Sequence, residues 1–139
     1  MVKTPKLYFY DTGLASFLLG LHDKKDIVNY HSRGSLFENF VIAKLLKQNF
    51  NKGLYHQFSF WRDKTGNEVD LIIEQGNRKT LIEIKAADTF HAGMLRGIEY
   101  CNSLPTEKGT GALIYNGDIE FKTKEKTSVL NWRNIPALI

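Results

Sequence analysis

The chain of 139 residues has one cysteine, three prolines and no apolar run approaching the roughly 20 residues of a membrane-spanning helix. A lone Cys101 excludes a disulfide within the chain, and its place in an apolar helical pattern makes it a core thiol. The N-terminus lacks the apolar core of a signal peptide, and no segment repeats or falls into low complexity. These absences set aside disulfide-stapled secreted scaffolds, membrane spans and solenoids, and they fit a reducing cytoplasm. Strong charge of one sign is missing too. Nineteen Lys and Arg against 15 Asp and Glu leave a net charge of +4, which permits an anionic partner without specifying one. With 42% hydrophobic and 24% charged residues, the chain is long enough for one domain with its own core.

What is present is charge where a core strand should have none. Residues 68–74 and 80–85 are β-branched and apolar enough to read as buried strands, yet Asp70 lies in the first and Glu83 and Lys85 in the second. The two-residue period of a strand sends Glu83 and Lys85 to one face and Ile82 and Ile84 to the other. An unpaired buried ion costs several kcal/mol even after relaxation, so such placement implies a metal ion or a partner charge.

Around this pair the pattern predicts a simple order. Lys6 to Tyr10 form an extended run, and Asp11 or Thr12 caps a short helix carrying Leu14, Phe17, Leu18 and Leu21. Residues 23–33 are polar and irregular, with His22 and His31 as surface histidines. A helix over 35–49 presents Phe37, Phe40, Val41, Leu45 and Leu46, and Gly53 stops it. A strand over 54–61 alternates His56, Phe58 and Phe60 with Tyr55, Gln57, Ser59 and Trp61. Turns at 63–67 and at Gly76-Asn77 join it to the Asp70 and Glu83 strands, giving three antiparallel strands in a row. A helix over 89–102, a strand over 112–115 and a fifth strand around Phe121 follow. Residues 1–34 are thus a lead-in, and 35–139 a single globular unit of order α-β-β-β-α-β.

That order, with Asp70 followed after a twelve-residue gap by Glu83-Ile84-Lys85, resembles the PD-(D/E)xK nuclease superfamily over about residues 35–115. Val69 stands where the family's name has a proline. The resemblance implies an α/β, restriction-endonuclease-like fold with a mixed sheet flanked by helices. It also implies that Asp70 and Glu83 hold Mg²⁺ or Mn²⁺, that Lys85 orients water or stabilises developing charge, and that Glu38 on the first helix joins them. Segments 6–14, 34–39, 60–63, 68–70 and 82–85 also look like the C-terminal domain of a large group of prokaryotic AAA-type ATPases. No G-x-x-x-x-G-K-[ST] occurs in the chain, so the implied ATPase activity would belong to a P-loop module elsewhere. The chain is then expected to be the C-terminal part of such a protein or a free-standing copy.

The chemistry can be stated without the family. Phosphodiester hydrolysis needs hydroxide near neutral pH and compensation for charge at phosphorus and the leaving oxygen, and a divalent ion supplies both. Mg²⁺ takes one or two protein carboxylates beside waters and a phosphate, the count that Asp70 and Glu83 offer. A lysine beside them stabilises developing charge. Three acids against one lysine would raise at least one carboxyl pKa.

Structural readings stand beside each functional one. Ser35-x-x-Glu38 is a capping box, which alone accounts for Glu38. Asp70 can pair with Arg62 or Lys64, and Glu83 with Lys85, on a solvated face. Glu68 is an alternate ligand two residues from Asp70. Arg62, Lys64, Lys79 and Arg96 are candidate phosphate contacts, expected on the side where the acids emerge. Phe58, Phe60 and Trp61 suit packing before base stacking, and Gly93-x-x-x-Gly97 suits close approach of a helix to the sheet. The leading function is metal-dependent hydrolysis of nucleic acid, DNA ahead of RNA. Its rival is a non-cleaving DNA-binding or docking module of an AAA-type ATPase, and a purely structural cap is the third reading.

Overall fold

The structure is a computed structural model that describes residues 5–138. Local caps set the first helices. Asp11 accepts the backbone N–H groups of Gly13 and Leu14 at 2.8 and 3.1 Å and opens α1 (Thr12–Leu18). The stretch expected to be irregular instead contains α2 (Lys24–Asn29). Asp23 and Asp26 form a reciprocal capping box there, each accepting the other's backbone N–H, and the six-residue helix has no buried face to betray it in the sequence. The long helix α3 (Arg33–Asn51) starts and ends two residues outside the expected bounds. Gly53, at φ +66, closes it, and Leu54 N–H returns to the Asn49 carbonyl at 2.9 Å.

Among the described residues, six strands form one sheet in the order β1-β2-β3-β4-β6-β5. The members are β1 (Gln57–Arg62), β2 (Glu68–Gln75), β3 (Arg78–Lys85), β4 (Thr110–Tyr115), β5 (Phe121–Lys122) and β6 (Ser128–Asn131). The first three strands pair antiparallel, β3-β4-β6 pair parallel, and β5 returns antiparallel to β6, so the sheet is mixed as expected. The crossover between β3 and β4 carries a 3₁₀ turn (Ala92–Leu95) and α4 (Arg96–Ser103), a later and shorter helix than the one expected over 89–102. Strand β6 and the closing 3₁₀ helix (Trp132–Leu138) were not expected from the sequence.

The sheet has a core on each face. On one, α3 packs Val41, Ile42 and Leu45 onto Leu71, Ile73, Ile82, Ile84 and Ile114. On the other, Met94, Leu95, Ile98 and Cys101 meet Val69, Ile72, Leu81, Leu113 and Tyr115, which makes Cys101 a buried core thiol. Burial of side chains such as Leu45, Ile82 and Ile114 stabilises the fold by about 2 kcal/mol each.

The lead-in is tied to α3 through one side chain. Buried Asn39 accepts the Phe9 N–H at 2.6 Å and donates to the Phe9 carbonyl and the Thr12 hydroxyl, each at 2.9 Å. Replacing Asn39 with Ala leaves these groups unpaired at a half-buried seam, and an expected loss of about 2 kcal/mol follows from that desolvation. Urea unfolding checks it; an unchanged midpoint would show that the clamp carries no weight.

Candidate active site

A β-bulge and a split between strands build the centre. Ser59 pairs with Ile72 and Trp61 with Val69, so Phe60 alone faces both Asp70 and Leu71. The extra residue on β2 re-aims its side chains at this point. Next to it the β2–β3 ladder ends at Leu71 opposite Ile82. Beyond that pair the Asp70 carboxylate substitutes for a ladder carbonyl and accepts the Ile84 N–H at 2.8 Å. Lys85 Nζ lies 3.2 Å from Asp70 Oδ2 and 2.5 Å from Glu83 Oε2. The two acids are buried, whereas 36% of the Lys85 side chain is exposed, so the trio meets solvent through the ammonium.

Electrostatics follow from that burial. Desolvation, then the Asp70 charge, pushes the Glu83 carboxyl up to about 8 against the opposing pull of Lys85. One raised carboxyl was expected from crowding; burial is the larger cause. For Lys85, burial alone would lower the pKa, but Asp70 and Glu83 outweigh it and hold the ammonium above its usual range.

Glu38 does not cap α3. Helix α3 begins after Ser32, no side chain caps it, and Ser35 and Glu38 form no capping box. Glu38 Oε1 instead accepts the Tyr8 hydroxyl at 2.6 Å and Lys6 Nζ at 3.1 Å. The same ammonium binds Glu68, whose second oxygen takes Arg62 Nε at 3.2 Å. Burial and the Glu38 bond hold the Tyr8 hydroxyl far above its usual pKa, and Asp70 and Glu68 add to the effect. The structure thus joins Asp70, Glu83 and Lys85 in one trio and ties Glu38 and Glu68 to Lys6. Among the described residues, no group of three or more His, Cys, Asp or Glu side chains is placed to hold a metal ion. The two buried carboxylates of the trio are hard oxygen donors in the number that Mg²⁺ takes from a protein, so a two-carboxylate site fits the residues present.

Lys6 and Tyr8 escaped the sequence reading. Their only local signal is alternation, with Lys6 and Tyr8 half-buried while Leu7 and Phe9 face solvent. A cavity of about 250 Å³ adjoins Asp70 between this run, α3 and β1, and Tyr8, Ile42, Phe58 and Phe60 line it. Phe58 and Trp61 also pack on the two cores, and Lys6 Nζ stands 5.4 Å from the Phe60 ring centroid.

Gly97 brings α4 onto the centre. A Cβ there would stand 2.0 Å from both the Glu68 carbonyl oxygen and Glu83 Oε1, whereas at Gly93 it would meet only the His91 ring at 3.2 Å. Of the candidate phosphate contacts, Arg62 and Lys64 lie at the β1–β2 hairpin beside Glu68, and exposed Arg96 precedes Gly97. Lys79 sits at the opposite end of β3 from Glu83 and Lys85, paired with Glu74 and Glu107 at 3.4 and 3.2 Å. Of the four, Arg62 is the one with an ion pair to an acid next to the trio, through Glu68, and Lys79 lies away from it.

A family model described as a domain of unknown function, DUF4143, matches residues 33–135. The uncharacterized proteins Rv2008c of Mycobacterium tuberculosis and Mb2031c of Mycobacterium bovis are each 33% identical over 87 residues, covering 63% of this chain. The chain matches only 19% of the length of these curated relatives. A solved chain from a half-complex of Thermococcus gammatolerans McrB AAA+ hexamers with bound McrC shares the fold, with a TM-score of 0.50 and 14% identity. That likeness covers 76% of this chain and 33% of the other.

Proposed function

The chain belongs to the DUF4143 family, and from that premise we propose that Asp70, Glu83 and Lys85 form a divalent-cation centre that hydrolyses nucleic-acid phosphodiesters, DNA ahead of RNA, within a larger AAA-type ATPase. The observation that carries the reading is the trio itself: two buried carboxylates on a bulged strand and its neighbour, meeting solvent through one lysine. Apolar residues in place of a buried charged trio are often neutral or stabilising, so a stable sheet alone does not call for one.

Asp70 and Glu83 would hold Mg²⁺ or Mn²⁺, which when bound supplies an acidified water and neutralises charge at phosphorus. Asp70 is fixed for that task by the Ile84 N–H. Burial and the Asp70 charge favour the neutral form of Glu83, so a bound cation would displace its proton. Lys85, at the opening of the trio, sets its ammonium against phosphoryl oxygens as their charge grows. Arg62, Lys64 and Arg96 would serve backbone phosphates, and binding through them would weaken as salt rises. The ATPase context is supported by the length of the relatives beyond the matched part and by the AAA+ assembly that contains the structural neighbour.

End-labelled single- and double-stranded DNA and RNA, incubated with Mg²⁺ or Mn²⁺, test the reading. Wild type is expected to cut at least one substrate, and Asp70→Asn and Lys85→Met are expected to cut none while keeping wild-type circular dichroism. Failure of wild type on every substrate removes hydrolysis and leaves the docking reading. A specific observation favours that second reading: Leu7, Leu14, Phe17, Leu18 and Leu19 are each at least 49% exposed on the N-terminal run and α1, an apolar surface of the kind that mediates protein contacts.

A further inference from the structure

The run from Pro5 to Tyr8 lies against Glu38 and Glu68 without being part of the sheet. Lys6 bridges Glu38 and Glu68, Tyr8 donates to Glu38, and Arg62 takes the second oxygen of Glu68, so among the described residues this segment supplies most of the partners of the outer acids. Its anchoring is uneven. Phe9 is clamped on both backbone sides by buried Asn39, whereas ahead of it Leu7 is 87% exposed and the Lys6 contacts are ion pairs at a half-buried surface. Half-buried ion pairs of this kind are cheap to exchange for another cation. Phe9 is therefore the fixed end of the run, Tyr8 packs at the edge of the α3 core, and the hold is weakest at Lys6 and Leu7.

We propose that residues 5–8 are an autoinhibitory strap: the Lys6 ammonium serves as an internal counter-ion that withholds Glu38 from the centre, and a divalent cation loads the centre fully only as the strap lifts. The inference rests on the cation reading of Asp70 and Glu83 and adds its regulation. Cation and ammonium compete for the same negative field, so each weakens the other. Tyr8 reinforces the closed state by holding Glu38 with a neutral hydroxyl. Any partner that draws the exposed Leu7 side of the strap away favours loading, which couples the centre to contacts made by the lead-in.

Two measurements on the 139-residue chain test the strap. Mn²⁺ affinity is titrated for wild type and Lys6→Met, which keeps an apolar stem on Phe60 and removes the charge. A strap closed in about nine-tenths of molecules lowers apparent affinity about tenfold, so Lys6→Met is expected to bind about tenfold tighter. Separately, a nitroxide at Leu7→Cys, in a Cys101→Ser background, is expected to gain mobility when Mg²⁺ is added to otherwise wild-type protein. This second readout needs no change at the site and stands if Lys6→Met fails to fold. Equal or weaker Mn²⁺ binding by Lys6→Met, or a label that Mg²⁺ leaves unmoved while the ion binds, overturns the strap and leaves the cation centre standing. Absence of Mn²⁺ binding in both proteins overturns the two together.

Discussion

Gly97→Ala is expected to lose about 3 kcal/mol of stability, at the upper end of what overpacking one methyl costs. The added carbon would fall 2.0 Å from the Glu68 carbonyl oxygen and equally close to Glu83 Oε1. A side chain can swing aside but a strand carbonyl cannot, so α4 must shift off β2 and open the core of Val69, Leu95 and Ile98. Because the same contact fixes Glu83, the change should also loosen the trio. Gly93→Ala is the control, since its methyl meets only the edge of His91, and its midpoint in urea should stay near wild type. If both variants unfold alike, the close approach at Gly97 is not what seats the helix.

The second large effect is on the pH dependence of stability. Burial and the Asp70 charge push the Glu83 carboxyl up to about 8 in the folded chain, against an ordinary value of 4.5. Between those values the folded chain holds a proton that the unfolded chain releases, so the native state binds more protons and stability falls as pH rises. The contribution is full below about 4.5, declines through about 8 and then levels. Glu83→Gln, uncharged at every pH, should flatten this part of the profile and be more stable than wild type near pH 8, by on the order of 3 kcal/mol. Thermal melts across the window check both statements. Mg²⁺ should raise wild-type stability most at the alkaline end, where the carboxylate is free to bind it, and should do little for Glu83→Gln. Parallel profiles for the two proteins would mean that Glu83 is charged throughout.

The trio was legible because charge interrupts apolar strands at Asp70, Glu83 and Lys85, and no local rule explains that. The mixed sheet was legible from strand alternation and the two tight turns, one of which places Gly76 at φ +58. Other elements depend on distant partners. Strand β6 is four residues long and exists by parallel pairing to β4, with Val129 opposite Leu113. Lys6 meets Glu38 across 32 residues and Glu68 across 62, a fit that neither segment announces. Ser35 and Glu38 show the reverse case, where a correct local pattern loses to tertiary partners: Tyr8 and Lys6 bind the carboxylate that would have capped the helix. In α2 a real capping signal went unread because no apolar face accompanied it.

The most direct measurement is a calorimetric titration of the chain with Mn²⁺ near neutral pH, repeated in two buffers that differ in ionisation enthalpy. The cation centre of Asp70 and Glu83 predicts saturable binding accompanied by proton release from Glu83, both lost in an Asp70→Asn, Glu83→Gln double variant with wild-type circular dichroism. The same isotherm from the double variant, or no binding by wild type in either buffer, would contradict it.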